Sequence, residues 1–137
     1  MGRSIRENKE EMAAMYTDIA NNVVGELPQN WTKVAVSFAI ENQEFETFLV
    51  YYSEDNGKTY RNFVEEAFDF DEPAEGLFEA QESCQKLHAL CKRHGDNWTQ
   101  FTLVVDRQGD FTADFTYEPI ETFTRLHLQV WRGRYLK

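Results

Sequence analysis

Apolar positions along this chain change their period several times, and each change marks an element. Met12, Met15, Tyr16, Ile19, Val23 and Leu27 recur every three or four residues, the stripe of an amphipathic helix. Ser4-Ile5-Arg6-Glu7 has capping-box spacing ahead of it. Gly25, which favours a left-handed cap, and Pro28, which lacks a donor, close it. The period then falls to two: Thr32, Val34, Val36, Phe38 and Ile40 alternate with Lys33, Ala35, Ser37 and Ala39, a strand in a half-exposed sheet. After the polar turn Glu41-Asn42-Gln43-Glu44, the segment from Phe45 to Tyr52 is β-branched and aromatic enough to be buried on both faces. Asn56-Gly57 is the strongest short hairpin signal in the chain, and Thr59 to Phe63 returns as a third strand.

A second helix starts at Asp71-Glu72-Pro73, where a carboxylate caps, another faces the positive helix end, and a proline loses nothing by lacking a donor. It runs to about Arg93. Leu77, Ala80, Cys84, Leu87 and Cys91 form its inner stripe, Glu75, Glu79, Glu82, Lys86 and Lys92 face outward, and Gly95 ends it. Trp98 to Tyr117 is a β-hairpin: Thr99, Phe101, Leu103 and Val105 alternate with Trp98, Gln100, Thr102 and Val104, Asp106 to Asp110 forms the turn, and Phe111, Ala113, Phe115 and Tyr117 alternate with Thr112, Asp114 and Thr116 on the way back. Pro119 breaks the chain before a last helical piece in which Phe123, Leu126, Val130 and Trp131 can pack. A faint echo runs through the order helix, Gly, Asn-Trp-Thr, strand, acidic turn, strand, once from Gly25 and again from Gly95; each Trp would plug the junction between a helix and the next strand. The pattern predicts an α+β fold of order α-β-β-β-α-β-β-α, an antiparallel sheet of about five strands with helices packed on it. At 137 residues, one domain spanning 1–137 can bury roughly two thirds of its unfolded surface, enough for a core without staples.

Charge changes the picture more than composition does. A net charge of −10, from 24 acids against 14 bases, argues against direct nucleic-acid binding, which needs a cationic footprint. A basic partner is the natural complement, although the same charge also serves solubility. Neither an apolar leader nor a run of the roughly 18 apolar residues that cross a membrane is present, which predicts a cytoplasmic protein without membrane contact.

Candidate chemistry is thin. Cys84, His88 and Cys91 fall within two helical turns, but structural zinc needs a fourth ligand and close cysteine pairs, and both thiols lie on the apolar stripe. Seven apart on one helix, the two cysteines are about 10.5 Å apart along the axis, beyond disulfide reach. Asp106, Asp110 and Asp114 are turn and outward-strand acids, sparser than a calcium loop. No Ser has a nucleophile-elbow setting, His94 belongs at a helix end, and nothing buries the pair Glu65-Glu66. The expectation is no enzymatic activity, no metal and no cofactor.

One charge feature rises above this background. Between Arg61 and Lys86 there is no base, while Glu65, Glu66, Asp69, Asp71, Glu72, Glu75, Glu79 and Glu82 are interleaved with Phe63, Phe68, Phe70, Leu77 and Phe78. Aromatic anchors inside a single-sign rim suit a protein-binding surface for a basic cleft. The other reading makes the phenylalanines core and the acids a solvated loop and helix start.

Trp98-Thr99-x-Phe101 and Asp106-x-x-Gly109-x-Phe111-x-x-Asp114-Phe115-x-Tyr117, the opening helix, the Pro28 to Trp31 segment and the closing Trp131-Arg-Gly-Arg-Tyr135-Leu136 together resemble the YezG-like family of bacterial immunity proteins and antitoxins. Most of the chain is covered, and the shared residues are framework rather than catalytic. The resemblance implies a small cytoplasmic protein that binds and silences one cognate toxin domain, often a nuclease, as in contact-dependent growth inhibition. Combined with the charge pattern, it makes Glu65, Glu66, Asp69, Asp71, Glu72 and Glu75 the expected partner-binding residues, covering the toxin's basic active-site cleft. The alternative is a small ligand-binding or adaptor domain with no toxin partner.

Overall fold

The computed structural model describes residues 9–42, 44–69 and 74–137, with Lys9, Phe68 and Asp69 described in their backbone alone. Its elements are α1 (Lys9–Val24), β1 (Lys33–Glu41), β2 (Phe45–Ser53), β3 (Arg61–Asn62), α2 (Phe63–Asp69), α3 (Glu75–Arg93), β4 (Gln100–Asp106), β5 (Phe111–Thr116) and α4 (Arg125–Tyr135). The strands form one antiparallel sheet in the order β3-β2-β1-β4-β5. The α+β class and the alternation of elements are therefore as predicted, with α2 as an added short helix.

On the first face of the sheet, Val34, Val36 and Phe38 of β1 meet Val50 and Tyr52 of β2 and Phe101 and Leu103 of β4. Against them pack Met12, Ile19 and Val23 from α1 and the full stripe predicted for α3, Leu77, Ala80, Cys84, Leu87 and Cys91, every one buried. The α1–α3 crossing is close enough to need a glycine: a Cβ built on Gly76 would lie 2.3 Å from the Asn22 carbonyl oxygen. There the Gly76 N–H donates to the Glu26 carboxylate at 3.1 Å, satisfying one of the unpaired donors of the first turn of α3. Trp31 and Trp98 are both buried at helix–strand junctions. Arg107, from the β4–β5 turn, lies over the Trp31 ring and donates to the carbonyls of Gln29 and Trp31, tying that turn to the α1–β1 junction.

The second face departs from expectation. Ala35, Ser37 and Ala39 of β1 are buried, so the sheet is not half exposed there. Their smallness forms a trough that α4 fills: the Trp131 indole rests over Ala35 and Tyr51, and its N–H donates to the Thr102 hydroxyl at 3.0 Å. Leu128, Tyr135 and Leu136 complete this smaller cluster, whereas Leu126 and Val130, expected to pack, are 67% and 63% exposed. Asp114 is likewise not a solvated strand acid, since its carboxylate accepts from the Tyr135 hydroxyl.

Other differences are local. β2 is buried on both faces only from Val50 onward, and Phe45 at its start is 61% exposed. The third strand shrinks to Arg61–Asn62 because the Asn62 side-chain oxygen accepts from the Glu65 N–H and starts α2 at once. The Asn-Gly signal holds: Asn56 and Gly57 have φ of 61° and 89°. In that turn the Thr59 hydroxyl and amide hold the Asp55 carboxyl down to about 2. Gly109 at 94° serves the β4–β5 turn, where the Asp106 carboxylate accepts from the Asp110 N–H. Gly95, at 81°, follows the His94 cap of α3. Gly25 is not left-handed; its N–H simply continues the helical pattern to the Asn21 carbonyl. A capping box does occur, on α4, where Thr124 and His127 satisfy one another's backbone donors. The Ser4 to Glu7 box and the Asp71-Glu72-Pro73 helix start lie outside the described residues.

Both cysteines are free and fully buried, and burial pushes the Cys84 thiol far up. A thiol reagent is accordingly expected to react slowly with the folded protein and to count two thiols per chain after denaturation. Recovery of an intramolecular disulfide would contradict the α3 geometry.

Candidate partner-binding surface

The acidic stretch divides into three environments. Glu65 is exposed on α2. Glu66 is not a free surface acid: one carboxylate oxygen accepts from the Tyr52 hydroxyl at 2.7 Å and the other from Arg61 Nε at 2.5 Å, leaving its side chain 22% exposed. Arg61 also reaches Glu54 at 3.6 Å and lies over the Tyr52 ring. The expectation of an exposed Glu66 is thereby corrected, because β2 brings the Tyr52 hydroxyl to it and β3 the Arg61 guanidinium. The Asp69 side chain, and Asp71 and Glu72 entirely, lie outside the described residues. Glu75 is exposed in the first turn of α3, where a carboxylate favours the helix dipole.

The aromatic residues of the stretch also separate. Phe63 packs edge-on against Tyr52 at the margin of the core, and Leu77 is buried. Phe78, by contrast, is 68% exposed. On α3, Glu75 and Glu82 share its face at spacings of three and four, and Glu79 follows it in sequence, all exposed. The outer face of α3 thus begins as an apolar ring among carboxylates and ends in Lys86, Lys92 and Arg93, with Lys86 and Glu82 paired at 3.5 Å where the sign changes. Gln81 and Gln85 both donate to Glu46 of β2, so this flank of α3 adjoins the strand start where Phe45 is exposed. Sequence reasoning missed Phe45; its only signal was its position directly after a polar turn and before Glu46.

The Tyr52–Glu66 bond has a titration consequence. Burial, reinforced by the hydrogen bond to Glu66, raises the Tyr52 hydroxyl from 10.0 to about 12. A raised folded-state value means stability that is complete below about pH 10 and lost as pH climbs through about 12. Tyr52→Phe is expected to flatten the alkaline decline of the denaturation midpoint; an unchanged decline would show that another group drives it.

His88 is engaged by the hairpin, its Nε2 lying 3.2 Å from the Trp98 carbonyl and its ring edge-on to Trp98 at 4.6 Å, with burial lowering its pKa. Among the described residues, no three His, Cys, Asp or Glu side chains come together in a way that could hold a metal ion. No helix among them is long and apolar enough to cross a membrane.

An α+β framework with a charged, aromatic-studded surface is the class of protein that the described residues define. Comparison with known proteins gives that class its identity. The sequence profile of the family described as "Immunity protein YezG-like" matches residues 12–136. A curated relative, immunity protein YezG of Bacillus spizizenii strain W23, is 29% identical over 116 residues, covering 80% of this chain and 71% of the relative. The chain belongs to the YezG-like immunity protein family, and it is a non-enzymatic inhibitor protein.

Proposed function

We propose that this chain is a cytoplasmic immunity protein that neutralises one cognate toxin domain, a nuclease with a cationic active-site cleft, by occluding that cleft with the acidic face at α2 and the N-terminal half of α3. The observation that carries the reading is Phe78, two thirds exposed, with Glu75 and Glu82 on its face of α3 and the exposed Glu79 next to it in sequence. An apolar ring in open solvent has no role in the core, and a surrounding single-sign rim suits a basic partner. Glu65 extends the rim from α2, and Asp69, Asp71 and Glu72 belong to it by sequence. Glu66 acts behind it, fixing Arg61 and Tyr52. Inhibition needs neither cofactor nor turnover and is stoichiometric.

The decisive experiment titrates the purified chain into the toxin domain encoded beside it while following nucleic-acid cleavage. Activity is expected to fall linearly and vanish near equimolar addition. Persistent cleavage at large excess would end the proposal, and inhibition of a toxin that does not cleave nucleic acid would remove its nuclease part.

A further inference from the structure

Three acids and three bases divide the outer side of α3 between them. Glu75, Glu79 and Glu82 occupy its first half and Lys86, Lys92 and Arg93 its second, all exposed. Opposite the buried stripe from Leu77 to Cys91, the helical repeat puts Glu75, Glu82, Lys86, Ala89 and Arg93 on the crest of the helix, with Phe78 and Lys92 on one shoulder of it. Ala89 is too short to fill its place. It floors a shallow, open hollow of about 670 Å³ walled by Lys86, Lys92 and Arg93. About three turns earlier, Phe78 stands out of the same side of the helix as an apolar knob, 68% exposed. The helix dipole favours cations in the last turn, which gives Lys92 and Arg93 a local reason. It gives none for Lys86, more than a turn further in, or for the hollow between the bases. Among the described residues no carboxylate pairs with Lys92 or Arg93. Of the acids beside the stripe, Glu46 accepts from Gln81 and Gln85 and Asp18 from Ser83, so both are engaged at its flanks.

Reversed end for end, this stripe is its own complement. A second α3 laid antiparallel on the first, with the two-fold at the level of Cys84, sets Glu75 opposite Arg93 and Glu82 opposite Lys86, and brings Phe78 to the hollow at Ala89. Symmetry makes each contact twice. A parallel pair would instead put acid on acid and base on base. We infer that the outer side of α3 is the contact surface of an antiparallel homodimer, in which the occupant of each Ala89 hollow is Phe78 of a second copy of this chain. Withdrawal of two aromatic rings from water drives the contact, while the opposed charges fix its direction and register, exposed ion pairs adding little strength. One face of a 19-residue helix, about 28 Å long, is smaller than a standard interface. Two chains of net charge −10 also repel at long range. The dimer is therefore weak, with a Kd on the order of 10–100 µM at physiological salt. Its surface contains Glu75, Phe78, Glu79 and Glu82, so, resting on the toxin reading above, dimer and toxin complex exclude one another and the chain meets its toxin as a monomer.

Sedimentation equilibrium of the intact chain, from low micromolar to roughly 500 µM, is expected to carry the mass from one chain toward two. Glu75→Lys with Glu79→Lys and Glu82→Lys makes the stripe wholly basic, and Lys86→Glu with Lys92→Glu and Arg93→Glu makes it wholly acidic. Each variant alone is expected to self-associate at least tenfold more weakly than the parent, whereas an equimolar mixture of the two should form a one-to-one heterodimer. Phe78→Ala should weaken the dimer about tenfold. Lys86→Gln with Lys92→Gln and Arg93→Gln should weaken it too, without placing acids at the helix end, and circular dichroism checks that every variant is folded. A parent that stays monomeric at the highest concentration, a dimer that survives Phe78→Ala and both charge reversals, or a mixture that fails to associate would overturn the inference. Toxin inhibition is measured separately on the same samples. A chain that dimerises through α3 yet leaves the cognate toxin active ends the toxin reading and supports the dimer, and a monomeric chain that inhibits does the reverse. Toxin bound to an intact dimer would overturn the exclusion of one complex by the other.

Discussion

Truncation of Trp98 to alanine is expected to cost about 3–5 kcal/mol, a large fraction of the roughly 5–15 kcal/mol that holds a domain folded. The indole is 1% exposed at the junction of α3 and β4. It touches His88, Phe38, Phe101 and Phe115 with ring centroids 4.6 to 6.2 Å apart. Its N–H has no hydrogen-bond partner among the described residues, so what is lost is packing and not a bond. Trp98→Phe should therefore be much milder, and Phe115→Ala, at a half-buried edge position, should fall between the two. Urea denaturation followed by circular dichroism measures all three. A Trp98→Ala variant within about 1 kcal/mol of the parent would mean that the junction is not part of the cooperative core. Because this residue is framework, protection against the toxin should decline only in proportion to unfolding.

The largest expected effect on binding comes from reversing charge on α3. Carboxylates facing a cationic cleft steer encounter and bring association toward roughly 10⁸ M⁻¹s⁻¹ at low salt. Glu75→Lys with Glu79→Lys and Glu82→Lys should lower the association rate by about tenfold or more and flatten its salt dependence, since screening limits exposed charges to about 8 Å at physiological ionic strength. The melting curve should hardly move, because all three side chains are in solvent. Phe78→Ala should act differently, leaving association intact and speeding dissociation by an amount equivalent to about 2 kcal/mol or more if the ring is the buried anchor of the complex. Stopped-flow kinetics with the cognate toxin domain across a salt series separates the two. Association unchanged in the charge-reversed variant would move the docking surface elsewhere, first to the acids around Glu41 to Glu46 and Glu54-Asp55.

Where the sequence was readable, one residue pattern had one structural solution. The α3 stripe from Leu77 to Cys91 could bury only that way, and the Asn56-Gly57 and Asp106 to Asp110 turns carry chemistry that few other conformations use. The second layer was hidden because small residues are ambiguous. Ala35, Ser37 and Ala39 look like a solvent-facing strand edge until an aromatic from elsewhere in the chain occupies the trough, and nothing local announces Trp131. On α4, Leu126 with Val130 and Leu128 with Trp131 are competing stripes of similar quality, and only the position of the sheet decides between them. The candidate surface was legible as a region but not residue by residue. Glu65 and Glu66 are adjacent and chemically alike, yet the second is held by Tyr52 and Arg61 because α2 packs against β2 directly after the short β3, a return of the chain that the residue pattern does not announce.

α3 is neutral as a whole, with its three acids in the first half and its three bases from Lys86 onward, so its charges form an electrical axis along the helix in addition to the chain's net charge of −10. The negative end of that axis is the part of α3 around Phe78. In the field of a cationic body a net charge feels only attraction, but a charge distribution with an axis also feels torque. Rotation toward such a body would begin before contact and would turn the acid-bearing half of α3, with Phe78, toward it.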